Sequence, residues 1–165
     1  MSFGMKSWIG VFFLICPSFV GAQKIVFKNH GQVVRTLSAS ELEKIAGVKT
    51  ITVQDPHEGV RVDFKAYPAN PILDSVYGSS WAKSDEVLLT CQDGYQPSVP
   101  VDRFKETQAY FAFERIGSRD FSVTVKAENN KKMPLGPFYL IWKDGKLAPF
   151  WTFQVVGVDL VSFQE

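Results

Sequence analysis

The sequence has 165 residues, with 18 Lys and Arg against 17 Asp and Glu and a net charge of +1. This balance gives no electrostatic reason to expect a nucleic acid or an anionic membrane surface as a partner. The length suits one domain, and a 45% hydrophobic content excludes a disordered chain.

The first 22 residues have the pattern of a secretory signal peptide. Lys6 precedes an apolar stretch that ends at Pro17, and small residues up to Ala22 form a cleavage site before Gln23. The stretch is too short to span a bilayer, although a short membrane anchor is the alternative. Without a twin-arginine pair, the pattern predicts Sec-type export to the periplasm or beyond, with no stable membrane insertion after cleavage.

Cleavage would leave Cys91 as the single cysteine of the mature chain, because Cys16 lies in the signal peptide. Exported proteins usually pair their cysteines in disulfides, so an unpaired thiol calls for an explanation.

The first half of the mature chain combines strand and helix patterns. A helix is expected within 36–50, where Ser38 or Ser40 supplies the N-cap and Gly47 the stop. Alternation of apolar and polar residues predicts three strands, of which the last two form a hairpin through "DPHEG": 24–30, 48–55 and 60–67.

The second half is richer in strands. A short helix is expected within 68–79 with Pro71 at its first helical position, and a helical turn near 101–106. Residues 127–134 read as a polar, solvated loop. Strands are predicted over 86–91, 109–116, 119–129, 135–144 and 151–163. The expected architecture over 23–165 is therefore one α+β domain, β-dominated, with mixed sheets and short helices.

The order of several short motifs resembles the molybdopterin-binding domain of the sulfite oxidase type. In sequence these motifs are "LSASELEKI", "PILDSVYG", "LLTCQDGYQPSVPVDRF", "AYFAFE", "LGPFYLIW" and "WTFQVVGVDL". The resemblance spans residues 36–163 and is strongest to small exported members of that superfamily. It implies a sulfite-oxidase-like fold for nearly all of the mature chain.

In the enzymes of that superfamily, a cysteine thiolate at the end of a strand binds molybdenum. The resemblance therefore makes Cys91 a candidate molybdenum ligand and the catalytic residue if the chain is an enzyme. Gly94 would allow the positive φ that brings the turn past a cofactor. The enzymes also use an early asparagine-histidine pair, which Asn29-His30 matches only superficially.

Two features argue that the chain keeps the scaffold without molybdopterin. The arginines after Cys91 are scattered rather than clustered, whereas the cofactor's phosphate needs cations. The cofactor enters a folded chain in the cytoplasm, whereas a Sec-type signal exports an unfolded one. These arginines are Arg103, Arg115 and Arg119.

The sequence leaves several roles open. Cys91 is a buried apolar residue, a reactive thiol or a metal ligand, and a copper site would combine it with His30, His57 or Met133. His57 reads more simply as a solvated turn residue.

Three further residues complete the candidate binding set. Asp93 is expected to stabilise its turn through its side chain. Tyr95 either stacks on a ligand or is buried, and Trp151 either forms a binding rim or closes the core.

The sequence therefore predicts an exported binding or redox-accessory module without a cofactor, acting through Cys91, Asp93, Gly94, Tyr95 and Trp151. Its partner would be another protein or a small ligand. One alternative is a molybdopterin-dependent oxidoreductase, with Cys91 on molybdenum, that passes electrons to a c-type cytochrome. Another is a periplasmic copper carrier that uses Cys91 with His30 or His57.

Overall fold

A computed structural model describes residues 23–163 of the protein. The predicted signal peptide lies outside these residues. None of the helices in the described range is long and apolar enough to cross a membrane.

A five-stranded mixed sheet brings the two ends of the described chain together. Its strand order is β2-β1-β11-β5-β6, with β1 parallel to β11 and the other neighbours antiparallel. The strands are β1 Lys24–Asn29, β2 Gln32–Ser38, β5 Glu86–Cys91, β6 Ser98–Pro100 and β11 Val155–Val161.

A four-stranded antiparallel sheet supplies the second layer of strands, in the order β10-β7-β4-β3. A separate two-stranded ribbon pairs β8 with β9. The strands are β3 Lys49–Asp55, β4 Val60–Pro68, β7 Ala109–Arg115, β8 Ser122–Val125, β9 Lys131–Pro134 and β10 Tyr139–Trp142.

Short helices connect the strands. They are α1 Ala39–Ala46, α2 Ala69–Tyr77 and α3 Val101–Glu106, with 3₁₀ segments at Ser79–Lys83, Lys126–Glu128 and Gly145–Phe150. Of the two predicted caps for α1, the structure uses Ser38. Its Oγ accepts from the backbone N of Glu41, whose carboxylate accepts from the backbone N of Ser38, so the two residues form a capping box.

The aromatic residues mainly fill the core. All four residues of β10 are buried, and in β5 burial alternates along the strand, with Val87, Leu89 and Cys91 buried. The largest fully buried side chains include Phe27, Phe64, Phe104, Phe111, Phe138, Tyr139 and Trp142. The prediction of a β-dominated α+β domain with mixed sheets is confirmed.

Several details differ from the sequence-based prediction. Residues 127–134 are not a loop throughout, because β9 pairs with β8. Strand β2 was not predicted, since most of its side chains are exposed at a sheet edge and show no alternation. Strand β6 has only three residues, too few for a pattern. Helix α2 begins at Ala69, which leaves Pro71 inside the first turn, where its missing N–H costs no helical hydrogen bond.

A buried ion pair holds the β3–β4 turn against β7 and β8. The Nη1 and Nη2 atoms of Arg115 donate to the carboxylate of Glu58, at 2.9 and 2.8 Å. The same carboxylate accepts from the backbone N of Thr124 at 2.6 Å. The Glu58 contact raises the pKa of Arg115, so the guanidinium stays charged. The Glu58 carboxylate therefore joins three chain segments: the β3–β4 turn, β7 and β8.

We expect Glu58→Gln to lower the free energy of unfolding by about 2–3 kcal/mol, because it leaves Arg115 without its charged partner in a half-buried position. The matched control is Glu114→Gln, which breaks an exposed pair with Lys65 and should cost at most about 0.5 kcal/mol. Urea unfolding at pH 7 measures both. Equal midpoints for the two variants would contradict the structural role given to Glu58.

Candidate functional site

Three segments that are distant in sequence enclose a cavity of about 260 Å³ at the end of β5. They are the turn after β5, strand β9, and the segment that leads into β11. Most of its walls are apolar or aromatic. The lining residues are Cys91, Asp93, Tyr95, Pro97, Met133, Pro149, Trp151, Thr152, Phe153 and Gln154. Four of the five residues that the sequence nominated for binding therefore line one cavity, and Gly94 lies in the turn between them.

The turn after β5 is held by local hydrogen bonds. Asp93 Oδ1 accepts from the backbone N of Tyr95 at 3.0 Å, which confirms the expected role of Asp93 in its turn. The backbone N of Cys91 donates to the carbonyl of Tyr95 at 2.8 Å. Gly94 has a φ of +88°, the left-handed conformation that favours glycine. The turn therefore presents Asp93 and Tyr95 in a defined geometry.

Cys91 is buried in this site, with 6% of its surface exposed. Burial raises the pKa of the Cys91 thiol to about 11, and the nearby Asp93 carboxylate adds to the rise. Reactive cysteines show the opposite, a pKa lowered by a cation or a helix N-terminus. Cys91 is thus a neutral thiol near pH 7, and it forms part of the cavity wall.

Trp151 has an unusual polar environment. It is 5% exposed and packs edge-on against Tyr139, with ring centroids 5.6 Å apart. Its indole Nε1 finds no hydrogen-bond acceptor among the described residues. By contrast, Trp142 donates to the carbonyl of Phe150 and Trp81 donates to Asp74. A buried N–H without an acceptor costs about 1–3 kcal/mol, which makes Trp151 the exception to explain.

Tyr95 lies at the rim of the cavity and is 66% exposed. The expectation that Tyr95 is buried is therefore wrong, and its stacking on a ligand stays a prediction. Phe153 provides a second ring on the wall. A small molecule or a partner's side chain that entered the cavity would therefore meet aromatic surface at its entrance and inside.

A polar network supports the wall from behind. The Phe153 ring stacks on Tyr139, with ring centroids 5.2 Å apart, and its centroid lies 4.6 Å from that of the His57 ring. The Tyr139 hydroxyl donates to Asp55 Oδ2 at 3.2 Å and lies 3.1 Å from His57 Nδ1. Asp55, with 0% exposure, also accepts from the backbone N of His57 and of Glu58. Sequence reasoning missed this network, although "DPHEG" contained two of its residues.

The histidines lie outside the cavity. The His57 side chain is 23% exposed, so it is half-buried against Tyr139 rather than fully solvated. His30 lies in the exposed turn between β1 and β2, with a φ of +49°. Of the proposed copper ligands, Met133 is the one that shares the cavity with Cys91. Residues 23–163 contain no cluster of three or more His, Cys, Asp or Glu that could hold a metal ion.

The charges around the cavity do not fit a molybdopterin phosphate. Among its described lining residues, Asp93 is the one charged side chain. Two of the three arginines that follow Cys91 in the sequence do not line the cavity and are paired elsewhere, since Arg103 pairs with Glu106 and Arg115 with Glu58. A bound phosphate would need cationic donors, and the site offers a carboxylate instead.

Comparison with protein-family models and with curated proteins gives no match for this chain. The resemblance to the sulfite oxidase type thus stays a prediction from the sequence motifs.

We expect the Cys91 thiol to react slowly with a disulfide reagent in the native protein. With a pKa of about 11, the thiolate is a minor species at pH 8, and burial restricts access. The rate should rise about tenfold per pH unit between pH 8 and pH 10. The measurement uses a Cys16→Ser background, with the denatured chain as control. Fast native reaction at pH 8 would show an activated thiol and contradict this description.

Asp55→Asn should lower the free energy of unfolding at pH 7 by about 1–3 kcal/mol. The variant should also lose less of this free energy than the wild type when the pH is lowered. Burial raises the pKa of Asp55, but hydrogen bonds from His57 and the backbone outweigh it, so the pKa lies below its usual value. The stabilisation is then present above about pH 3.9 and is lost as the pH falls through the lower folded pKa.

Urea unfolding at pH 7 and pH 3 tests this prediction. The stability difference between wild type and Asp55→Asn should be smaller at pH 3. The control is Asp63→Asn, which removes an exposed carboxylate on β4. Its free energy of unfolding should change between pH 7 and pH 3 by about as much as that of the wild type. If the stability difference between wild type and Asp55→Asn is the same at both pH values, Asp55 is not ionised in the folded state.

Proposed function

We propose that this protein is an exported binding module of the sulfite oxidase type that works without molybdopterin. Its site is the Cys91 cavity, and its ligand is a small molecule or a single side chain of a partner protein. The volume, about 260 Å³, is below the usual range of about 300–1,000 Å³ for drug-sized ligands. A compact ligand group therefore suits it best.

The unpaired indole N–H of Trp151 is the observation that carries the proposal. Its desolvation cost is offset if a small shift of the Trp151 ring turns Nε1 towards the cavity and a bound group places an acceptor oxygen or nitrogen beside it. The aromatic rings of Tyr95 and Phe153 supply further contact area for such a group. The ligand is therefore expected to combine an apolar body with a hydrogen-bond acceptor.

The state of Cys91 favours binding over redox chemistry. A redox-accessory thiol needs an accessible thiolate, whereas this thiol is buried with a raised pKa. Within the proposal, Cys91 acts as a small apolar wall residue with a weak S–H donor.

A molybdopterin-dependent oxidoreductase that passes electrons to a c-type cytochrome is the alternative implied by the family resemblance. In such an enzyme Cys91 would be the residue on the metal. The carboxylate of Asp93 beside Cys91, and the engagement of Arg103 and Arg115 elsewhere, support the cofactor-free proposal over this alternative.

A copper carrier is the second candidate, favoured by one specific observation. The thiol of Cys91 and the thioether of Met133 line the same cavity, and both are soft ligands of the kind that suit Cu(I). Because the thiol must lose its proton to bind, copper affinity would increase with pH.

Metal analysis and a pterin fluorescence assay on protein isolated from its own exported fraction test the three functions. The proposal expects neither molybdenum nor pterin. Molybdenum and pterin near one per chain would overturn it and make Cys91 catalytic. Copper without molybdenum or pterin, and its loss in Cys91→Ser, would overturn the proposal in favour of the copper carrier.

Native mass spectrometry of the same preparation tests ligand binding directly. We expect a bound small molecule whose occupancy falls about tenfold in Trp151→Phe, which keeps an aromatic ring and removes the N–H. Trp81→Phe is the control, because Trp81 lies outside the cavity and its N–H is already paired with Asp74. Equal occupancy in the two variants would argue against a role for the Trp151 N–H.

A further inference from the structure

A second cavity, of about 310 Å³, lies where the edge strand β3, the first turn of α2 and the start of β7 meet. It shares no lining residue with the Cys91 cavity. Its walls are mainly apolar, from Ile51, Pro68, Pro71 and Ala109. A cavity of this size holds a ligand with one ring rather than a large cofactor.

Asn70 gives this cavity an unpaired acceptor. Its Nδ2 donates to the carbonyl of Phe104 at 3.0 Å. A carbonyl only accepts, so this bond fixes which end of the amide is nitrogen and which is oxygen. The Oδ1 atom on the other end is buried and receives no hydrogen bond from residues 23–163. A ligand that donates to this acceptor would offset its desolvation cost, and it reaches the atom through a small shift of the Asn70 side chain, because Oδ1 has almost no accessible surface in this structure.

The Tyr110 hydroxyl is a second group of the cavity with the same requirement, alongside the donors of Lys49, Thr50 and Gln108. The Tyr110 hydroxyl donates its one hydrogen to Gln108 Oε1 at 2.6 Å, so its oxygen is left with acceptor capacity only. Burial raises the pKa of Tyr110, which keeps the hydroxyl neutral. Lys49, exposed at the lining, is the one charged residue among those described there, and it disfavours a cationic ligand.

We propose that this cavity is a second binding site, for a small neutral ring compound that carries an O–H or N–H donor, such as a phenol. The ring occupies the apolar walls and the donor binds Asn70 Oδ1. The inference does not depend on the function of the Cys91 cavity, because it stands on different residues.

The test is an NMR titration of the ¹⁵N-labelled protein with phenol and, separately, with anisole. Anisole keeps the ring and lacks the donor. Phenol should bind about tenfold more tightly and shift the amide signals of residues 49–51, 70 and 108–110. Equal affinities, or phenol shifts confined to residues 91–97 and 149–154, would overturn the proposal.

Asn70→Leu provides the matched variant, since it removes the acceptor at nearly constant side-chain volume. The tenfold preference for phenol over anisole should disappear, while anisole binding persists and reports an intact cavity. A preference that survives in Asn70→Leu would overturn the role of Asn70. If the variant does not fold, the phenol-to-anisole ratio and the shift pattern of the wild-type protein still decide the question.

Discussion

The pairing of β11 between β1 and β5 is the constraint on which the candidate site depends. It places Val155 opposite Cys91, and the backbone N of Gln92 donates to the carbonyl of Gln154 at 2.9 Å. Gly157 favours the close approach, because a Cβ there would lie 3.1 Å from Cβ of Thr90 and Thr90 would have to shift by a few tenths of an ångström. The Cys91 turn and the Trp151 segment are thus held together by main-chain hydrogen bonds, which side-chain substitutions at the cavity leave in place.

Buried polar groups divide into two kinds, those with hydrogen-bond partners in the described chain and those without. The carboxylates of Asp55 and Glu58 are well supplied with donors and stabilise the fold. Trp151 Nε1 and Asn70 Oδ1 are buried without partners in the described chain, and each belongs to a residue that lines a cavity. Proteins seldom leave such atoms unpaired, so both cavities are natural places for a ligand to supply what is missing.

The chemistry of the Cys91 cavity supports the recognition role proposed for it. A neutral thiol, an exposed tyrosine ring and a single carboxylate suit the selection of a compact group more than its chemical conversion. The Asp55–Tyr139–His57 network holds, through hydrogen bonds, the Tyr139 ring that stacks behind Phe153. A preformed wall lowers the entropy lost on binding and so favours affinity in a small site.

Much of the local structure was determined by the sequence alone. The Ser38 cap, the Asp93-Gly94 turn and the alternating strands follow from short-range rules, whereas β2, β6 and β9 escaped prediction because exposed or very short strands have no pattern. Only the tertiary structure decided that Cys91, Met133 and Trp151 share a cavity and that the Trp151 N–H lacks an acceptor. The physical reason is that sheet pairing brings together segments far apart in the chain, and burial then decides which polar atoms lose water.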